Sequence, residues 1–162
     1  MRVGSGLDVH AFSGDTQRPL VLGGIVVPGA PGLAGHSDAD VVAHALADAL
    51  LGAAALGDLG SLFGVDEPDL AGADSLGFLV RVVDHLSVAG WRPANIDCTI
   101  VAARPRLAAH RQAMRERLAS VLDLPVAAVS VKITSSDGLG AVGRGEGIAC
   151  WATCLISESQ GG

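Results

Sequence analysis

A chain of 162 residues with a formal net charge of −6, 49% hydrophobic residues and only 3% aromatic ones carries its apolar mass in Ala, Val and Leu. That is enough for a core and excludes a disordered chain. The acidic balance, with Lys132 the single lysine, argues against general nucleic-acid binding. The most apolar stretch, residues 41–57, is interrupted by His44 and Asp48, which argues against a membrane span of about 20 apolar residues.

One domain over residues 1–162 is the expectation at this length. A mean hydropathy of +0.45 is easier to place if part of the surface faces another subunit, so an oligomer is expected. Met1-Arg2 leads into a short strand-like run and Asp8, without the apolar stretch of a secretory leader, which points to the cytoplasm.

In chain order, residues 2–7 and 18–27 read as strands, and residues 28–35 as a turn-rich connection. Residues 40–56 read as a helix capped by Ser37 or Asp38, with Gly57 as its stop. Residues 58–73 read as a mobile loop with at most one helical turn. Residues 73–89 form a second helix with Leu76, Leu79, Val80, Val83 and Leu86 on one stripe and Gly90 after its end. A strand over 96–103, a helix over 107–122 and strands over 129–135 and 147–156 complete the chain. The fold class is α/β in the broad sense, an α+β two-layer domain: one mixed sheet of four to five strands packed with three helices.

Asp8 and His10 sit at the end of the first strand, and their i, i+2 spacing points both side chains to one side. With His44 on the first long helix they offer one carboxylate and two imidazoles, a set that suits Zn²⁺ and leaves a fourth position open. Asp40 and Asp48 lie one turn before and after His44, where either carboxylate is placed to accept the free ring N–H. The same D-x-H pair also fits a hydrogen-bonded surface turn. His36 either contacts a phosphate or caps the helix, and His85 and His110 lie on ordinary helical faces. Cys150 and Cys154 share one face of a strand and, with Cys98, read as buried reduced thiols.

Residues 138–143 match G-x-G-x-x-G but precede a strand and not a helix, so a dinucleotide fold fails on context. The better reading is a tight loop that lets backbone N–H groups approach an anion, flanked by Thr134, Ser135, Ser136 and Asp137, the last able to hold Mg²⁺ against phosphates. Arg104, Arg106 and Arg144 in or beside loops add guanidinium forks for phosphate. These parts suggest phosphate chemistry.

Gly6-Leu7-Asp8-Val9-His10-Ala11-Phe12, then Gly35-His36-Ser37-Asp38-Ala39-Asp40 leading to His44-Ala45-Leu46, then residues 50–58, Gly72-Ala73-Asp74-Ser75 and Gly143-Arg144-Gly145-Glu146-Gly147 closely resemble the 2-C-methyl-D-erythritol 2,4-cyclodiphosphate synthase family. The resemblance runs from about Arg2 to Ile156. It implies a homotrimer around a central channel, with active sites between subunits. The implied enzyme is a phosphorus–oxygen lyase of the non-mevalonate isoprenoid route that turns 4-diphosphocytidyl-2-C-methyl-D-erythritol 2-phosphate into the cyclic diphosphate and CMP.

The resemblance further implies that Asp8, His10 and His44 hold zinc as Lewis acid and template. Mg²⁺ or Mn²⁺ would bridge the phosphates with help from Asp137, while His36 and Ser135 stabilise charge in the transition state. Val9, lying between the two strand ligands, and Ser37, beside His36 on the 2-phosphate, join the substrate contacts. Asp58, Leu59 and Gly60 with Phe63, Gly64, Val65, Asp66 and Glu67 would close over the methylerythritol. Ala102, Ala103, Arg104, Pro105, Arg106, Leu107 and Ala108 with Thr134 to Asp137 would form the cytidine diphosphate pocket. Arg144, compensated by Glu146, would stand at one end of a channel able to take an isoprenoid diphosphate, with Ala141 where a larger apolar residue often lines it. Relative to the family's more usual T-T-T-E-K, residues 134–138 read T-S-S-D-G, which shortens the magnesium carboxylate by one methylene and keeps the oxygen types. Two other readings use the same parts: a zinc hydrolase of nucleotide diphosphates, and a non-catalytic trimeric binder of isoprenoid diphosphates.

Overall fold

The computed structural model describes residues 1–35, 37–63 and 74–159. Strand β1, Arg2–Ala11, pairs antiparallel with β6, Gly147–Glu158. On the other side of β6 runs β4, Trp91–Val101, again antiparallel, and β5, Val129–Thr134, closes the sheet parallel to β4. The order β1-β6-β4-β5 makes β1, β4 and β5 parallel to one another, so their C-terminal ends share one end of the sheet.

The second expected strand is two. Residues 18–27 divide at Gly23 and Gly24, which have φ +57° and +72°, into β2, Pro19–Leu22, and β3, Ile25–Pro31, an antiparallel ribbon outside the main sheet. Two central residues with positive φ make the tight turn that matches strand twist. The main sheet therefore has four strands.

The three long helices are present as α1, Val41–Ala54, α3, Ser75–Val88, and α4, Arg111–Val121. Two short ones join them: α2, Leu59–Phe63, and α5, Gly140–Gly143. The glycine-rich turn thus contains one helical turn. Helix α1 packs on β1 and β6, α3 on α1 and β4, and α4 on β5. In α3 the buried stripe is Leu76, Phe78, Leu79, Val82 and Leu86, whereas Val80 is exposed. Strand β4 begins at Trp91, five residues before the sequence pattern suggests, because an irregularity between Pro93 and Asn95 absorbs the proline.

Helix α1 is buried on nearly every turn, and its seat on β1 is made by glycine. A Cβ on Gly4 would lie 2.0 Å from the Ala49 carbonyl oxygen, and one on Gly6 would lie 2.1 Å from that of Ala45. No larger residue fits without moving backbone. Cys98, Cys150 and Cys154 are free and buried on this side, and burial pushes the Cys154 thiol up to about 11.

The opposite side of the sheet is open. Register rows Val9–Ala149–Val101 and Leu7–Trp151–Thr99–Lys132 cross it, and Val3, Leu7, Val9 and Trp151 are each more than half exposed. No helix among the described residues is long and apolar enough to cross a membrane.

Candidate metal centre and phosphate loops

Asp8 and His10 extend from β1 toward α1, and His44 faces them from the first turn of α1. Asp8 Oδ2 lies 3.1 Å from His10 Nε2 and 3.1 Å from His44 Nδ1, and one ligand atom from each residue falls within 4.8 Å of the others. The close seat of α1 on Gly6 allows this approach. At His10 the turn is also close, though less so, since a Cβ on Gly35 would lie 3.1 Å from His10 Cε1.

The His10 Nδ1–H donates to the Ala34 carbonyl, which leaves Nε2 to face Asp8. A hydrogen bond to Asp8 raises the His10 pKa against the effect of burial. Burial alone would raise that of Asp8, but hydrogen bonds and charge from His10 and His44 prevail and hold it well below the usual carboxylate range. One carboxylate oxygen and two ring nitrogens turned toward one another repel unless a cation sits among them. A proton or a divalent ion meets that requirement, and this donor set fits the ion.

The two aspartates expected to brace His44 do something else. Asp40 is fully buried and caps α1: Oδ1 accepts N–H bonds from Val42, Ala43 and Gly23, and Oδ2 accepts that of Gly24. Asp48 accepts the N–H of Leu59 at 2.9 Å and so holds α2 against α1. Neither bonds the imidazole. The partners of His44 Nε2 are the hydroxyls of Ser75, at 3.0 Å, and Ser37, at 3.3 Å. No local sequence pattern marks Ser75 as a partner of His44. Its signal was its place in the Asp74-Ser75 pair that opens α3, but nothing local indicates that it meets a residue 31 positions earlier.

Phe63 is buried beside this cluster, its ring centroid 5.3 Å from that of Phe78, which is 6.4 Å from His44. The Arg81 guanidinium stacks over the Phe63 ring at 4.3 Å. Asp58 accepts the Ser61 N–H at 2.7 Å and starts α2, with Leu59 half-buried against the core and Gly60 exposed. His36 and residues 64–67 lie outside the described residues.

The two loops read as phosphate-binding in the sequence leave the sheet at the same end. Val101 and Thr134 are register partners at the ends of β4 and β5, and the Ala102 N–H donates to the Thr134 carbonyl. The loops that begin at residues 102 and 134 therefore start side by side. Ala103, Arg104, Arg106 and Ala108 are exposed there, Pro105 is partly so, and Ala102 and Leu107 anchor the loop inside. Arg104 donates to the Gly145 carbonyl at 3.2 Å and lies 5.7 Å from the Phe12 ring. In the second loop Ser135 Oγ donates to Asp137 at 2.7 Å and Ser136 Oγ to the Leu139 carbonyl. Arg144 and Glu146, both exposed, form an ion pair at 2.6 Å, and Ala141 is exposed one turn earlier.

Within one chain the Asp8 cluster belongs to one edge strand and the Ser135–Asp137 loop to the other. Three strand spacings separate them, about 14 Å.

Fold and site together define a class: an α+β domain with an Asp-His-His set able to hold a divalent ion on one edge strand of a mixed sheet, and serine-rich and arginine-bearing loops at the same end of the sheet toward its other edge. The chain belongs to the YgbB family, whose model matches residues 1–157. It is 52% identical over 162 residues to a protein of Moorella thermoacetica named 2-C-methyl-D-erythritol 2,4-cyclodiphosphate synthase, covering 100% of this chain and 98% of that one. It is 51% identical to the protein of the same name from Salinibacter ruber, covering 98% of this chain and 100% of the other. A structure of IspF from Plasmodium falciparum in complex with CDP superposes with a TM-score of 0.84 at 28% identity, over 98% of this chain and 97% of that one.

Proposed function

We propose that this chain converts 4-diphosphocytidyl-2-C-methyl-D-erythritol 2-phosphate into 2-C-methyl-D-erythritol 2,4-cyclodiphosphate and CMP. The observation that carries the reading is the convergence of Asp8, His10 and His44 in a chain whose full length matches relatives named for that reaction.

An oxygen of the 2-phosphate attacks the β-phosphorus, the bond from that phosphorus to the bridging oxygen breaks, and CMP leaves with the electron pair. A phosphate monoester is already largely dianionic at pH 7, so no side chain need deprotonate the nucleophile and no water is consumed. The barrier is repulsion between two anions, and catalysis reduces to positioning and charge neutralisation. Zinc on Asp8, His10 and His44, and Mg²⁺ or Mn²⁺ on Asp137, would supply that neutralisation as Lewis acids. His36 and Ser37 hold the 2-phosphate, Ser135 turns its hydroxyl from Asp137 to donate to the transferring group, and Arg104 and Arg106 fork onto the nucleotide phosphates. Asp58 accepts hydroxyls of the methylerythritol beside Leu59 and Gly60.

The open sheet face supports a homotrimer. Val3, Leu7, Val9 and Trp151 form an apolar surface that a second copy would bury. The trimer would bring the phosphate loops of one copy to the Asp8 cluster of the next, and the Arg144–Glu146 pairs together at one end of a channel that admits an isoprenoid diphosphate. A cytoplasmic setting belongs to the same proposal.

Phosphorus NMR of the protein with substrate and Mg²⁺ tests the reading, before and after zinc is stripped and restored. Stoichiometric CMP and a cyclic diphosphate, lost on stripping, on Asp8→Ala and on His44→Ala, are expected. Incorporation of oxygen from labelled water into a linear phosphate would instead make the protein a hydrolase. Unchanged substrate from a zinc-loaded trimer would make it a binding protein.

A further inference from the structure

The tie on His44 Nε2 comes from a different helix and from a residue that neither the proposed metal set nor the substrate contacts include. Ser75, the first residue of α3, is completely buried. Its backbone N–H donates to Asp38 Oδ2 at 3.1 Å and its hydroxyl donates to Asp38 Oδ1. The hydroxyl has one proton, and a carboxylate only accepts, so that proton belongs to the bond with Asp38. What Ser75 Oγ then offers His44 Nε2 at 3.0 Å is a lone pair, and that contact is a hydrogen bond only when Nε2 carries the ring proton. Ser37 Oγ lies 3.3 Å from both Ser75 Oγ and His44 Nε2 and accepts the Ala39 N–H, so it closes the same buried pocket.

We infer that Asp38 and Ser75 form a relay that keeps the proton of neutral His44 on Nε2 and turns the Nδ1 lone pair toward Asp8 and His10, making Ser75 a positioning residue for the metal ligand. This is the service that the Ala34 carbonyl performs for His10, carried out by side chains. It rests on the metal-centre reading proposed above. Because the tie crosses from α1 to the start of α3, it also fixes the ring plane that helix packing alone leaves free to turn. An outer hydrogen bond of this kind is worth roughly 10- to 100-fold in metal affinity.

The test uses the full chain with Ser75→Ala, Asp38→Asn and the double variant. Zinc affinity is read by chelator competition, ligand geometry by the visible spectrum of the Co²⁺ form, and folding by thermal melting of the metal-free protein. Ser75→Ala keeps the N–H bond to Asp38, so the start of α3 survives. The expected result is a zinc dissociation constant raised by about 10-fold or more with an altered Co²⁺ spectrum at a nearly unchanged melting temperature. The double variant should lose no more than Ser75→Ala alone, since a chain is broken once. Wild-type affinity and spectrum in Ser75→Ala, or losses that add in the double variant, would overturn the relay while leaving the metal centre in place. A wild-type protein that takes up neither ion would overturn both.

Discussion

Gly6→Ala tests whether the seat of α1 on β1 builds the metal centre. The added Cβ would stand 2.1 Å from the Ala45 carbonyl oxygen and 2.8 Å from the Ala49 nitrogen, where ordinary contact begins at 3.4 Å. Both neighbours are backbone, so no side-chain rotation relieves the clash and α1 must retreat by about 1 Å. Overpacking of this kind costs about 1–3 kcal/mol, or roughly 2–12 °C in melting temperature for a chain of this size. The effect on the site is larger in kind. Asp8 and His10 travel with β1 and His44 travels with α1, so the 3.1 Å approach of Asp8 to His44 opens by the same amount, against a tolerance of about 0.2 Å in ligand distances. The variant should melt as a folded protein yet hold zinc about 100-fold more weakly, as measured by chelator competition. Gly4→Ala is the control. Its Cβ would meet Ala49 oxygen at 2.0 Å, an equal clash one turn farther from His44, and should cost similar stability with a smaller loss of zinc. Wild-type zinc affinity in Gly6→Ala, at a lowered melting temperature, would refute the argument that this contact sets the ligand geometry.

Trp151→Glu places a charge on the open sheet face and should convert the proposed trimer to monomers in light scattering, with turnover lost and the zinc content of each chain retained. Asp137→Asn removes the carboxylate that Ser135 addresses at 2.7 Å; turnover should fall at least tenfold at saturating Mg²⁺, a loss of about 1.4 kcal/mol or more of transition-state stabilisation, while zinc content stays the same. Partial burial would raise the Asp97 pKa, but hydrogen bonds from Lys132 and Ser130 lower it below its ordinary 3.8, so its contribution is present above that value and fades as pH falls through the lowered one. The pair is solvent-exposed and worth at most about 1 kcal/mol; the melting difference between wild type and Asp97→Asn should therefore be small at pH 7 and vanish in acid, and a constant difference would count against the linkage.

What could be read from the residues was local. The i, i+2 step from Asp8 to His10 fixes a shared side whatever the rest of the chain does, and the stop at Gly90, φ +80°, follows from the end of an apolar stripe. What could not be read was competition. Asp40 has the right spacing to reach His44, yet four backbone N–H groups, two of them from the β2–β3 turn, occupy its oxygens, and only the folded chain brings that turn near. Ser75 and Asp38 are likewise joined across 37 positions. The Gly23-Gly24 turn was legible in principle, since two adjacent glycines inside a strand-like run mark a hairpin.

Strand β1 shows why a correct pattern can still point the wrong way. In residues 2–11 the apolar Val3, Leu7 and Val9 alternate with Gly4, Gly6, Asp8 and His10, and the usual rule would turn the apolar set toward the core. The structure turns it outward, with Val3, Leu7 and Val9 at 68%, 57% and 56% exposure. The reason lies in the other set: only glycine admits α1 at this distance, and only with α1 at this distance does His44 meet Asp8 and His10. The inner face is therefore committed to the metal ligands and to the helix that completes them. The apolar alternation is left for a surface that one copy of the chain cannot cover by itself, which ties the proposed trimer to the same ten residues as the proposed metal centre.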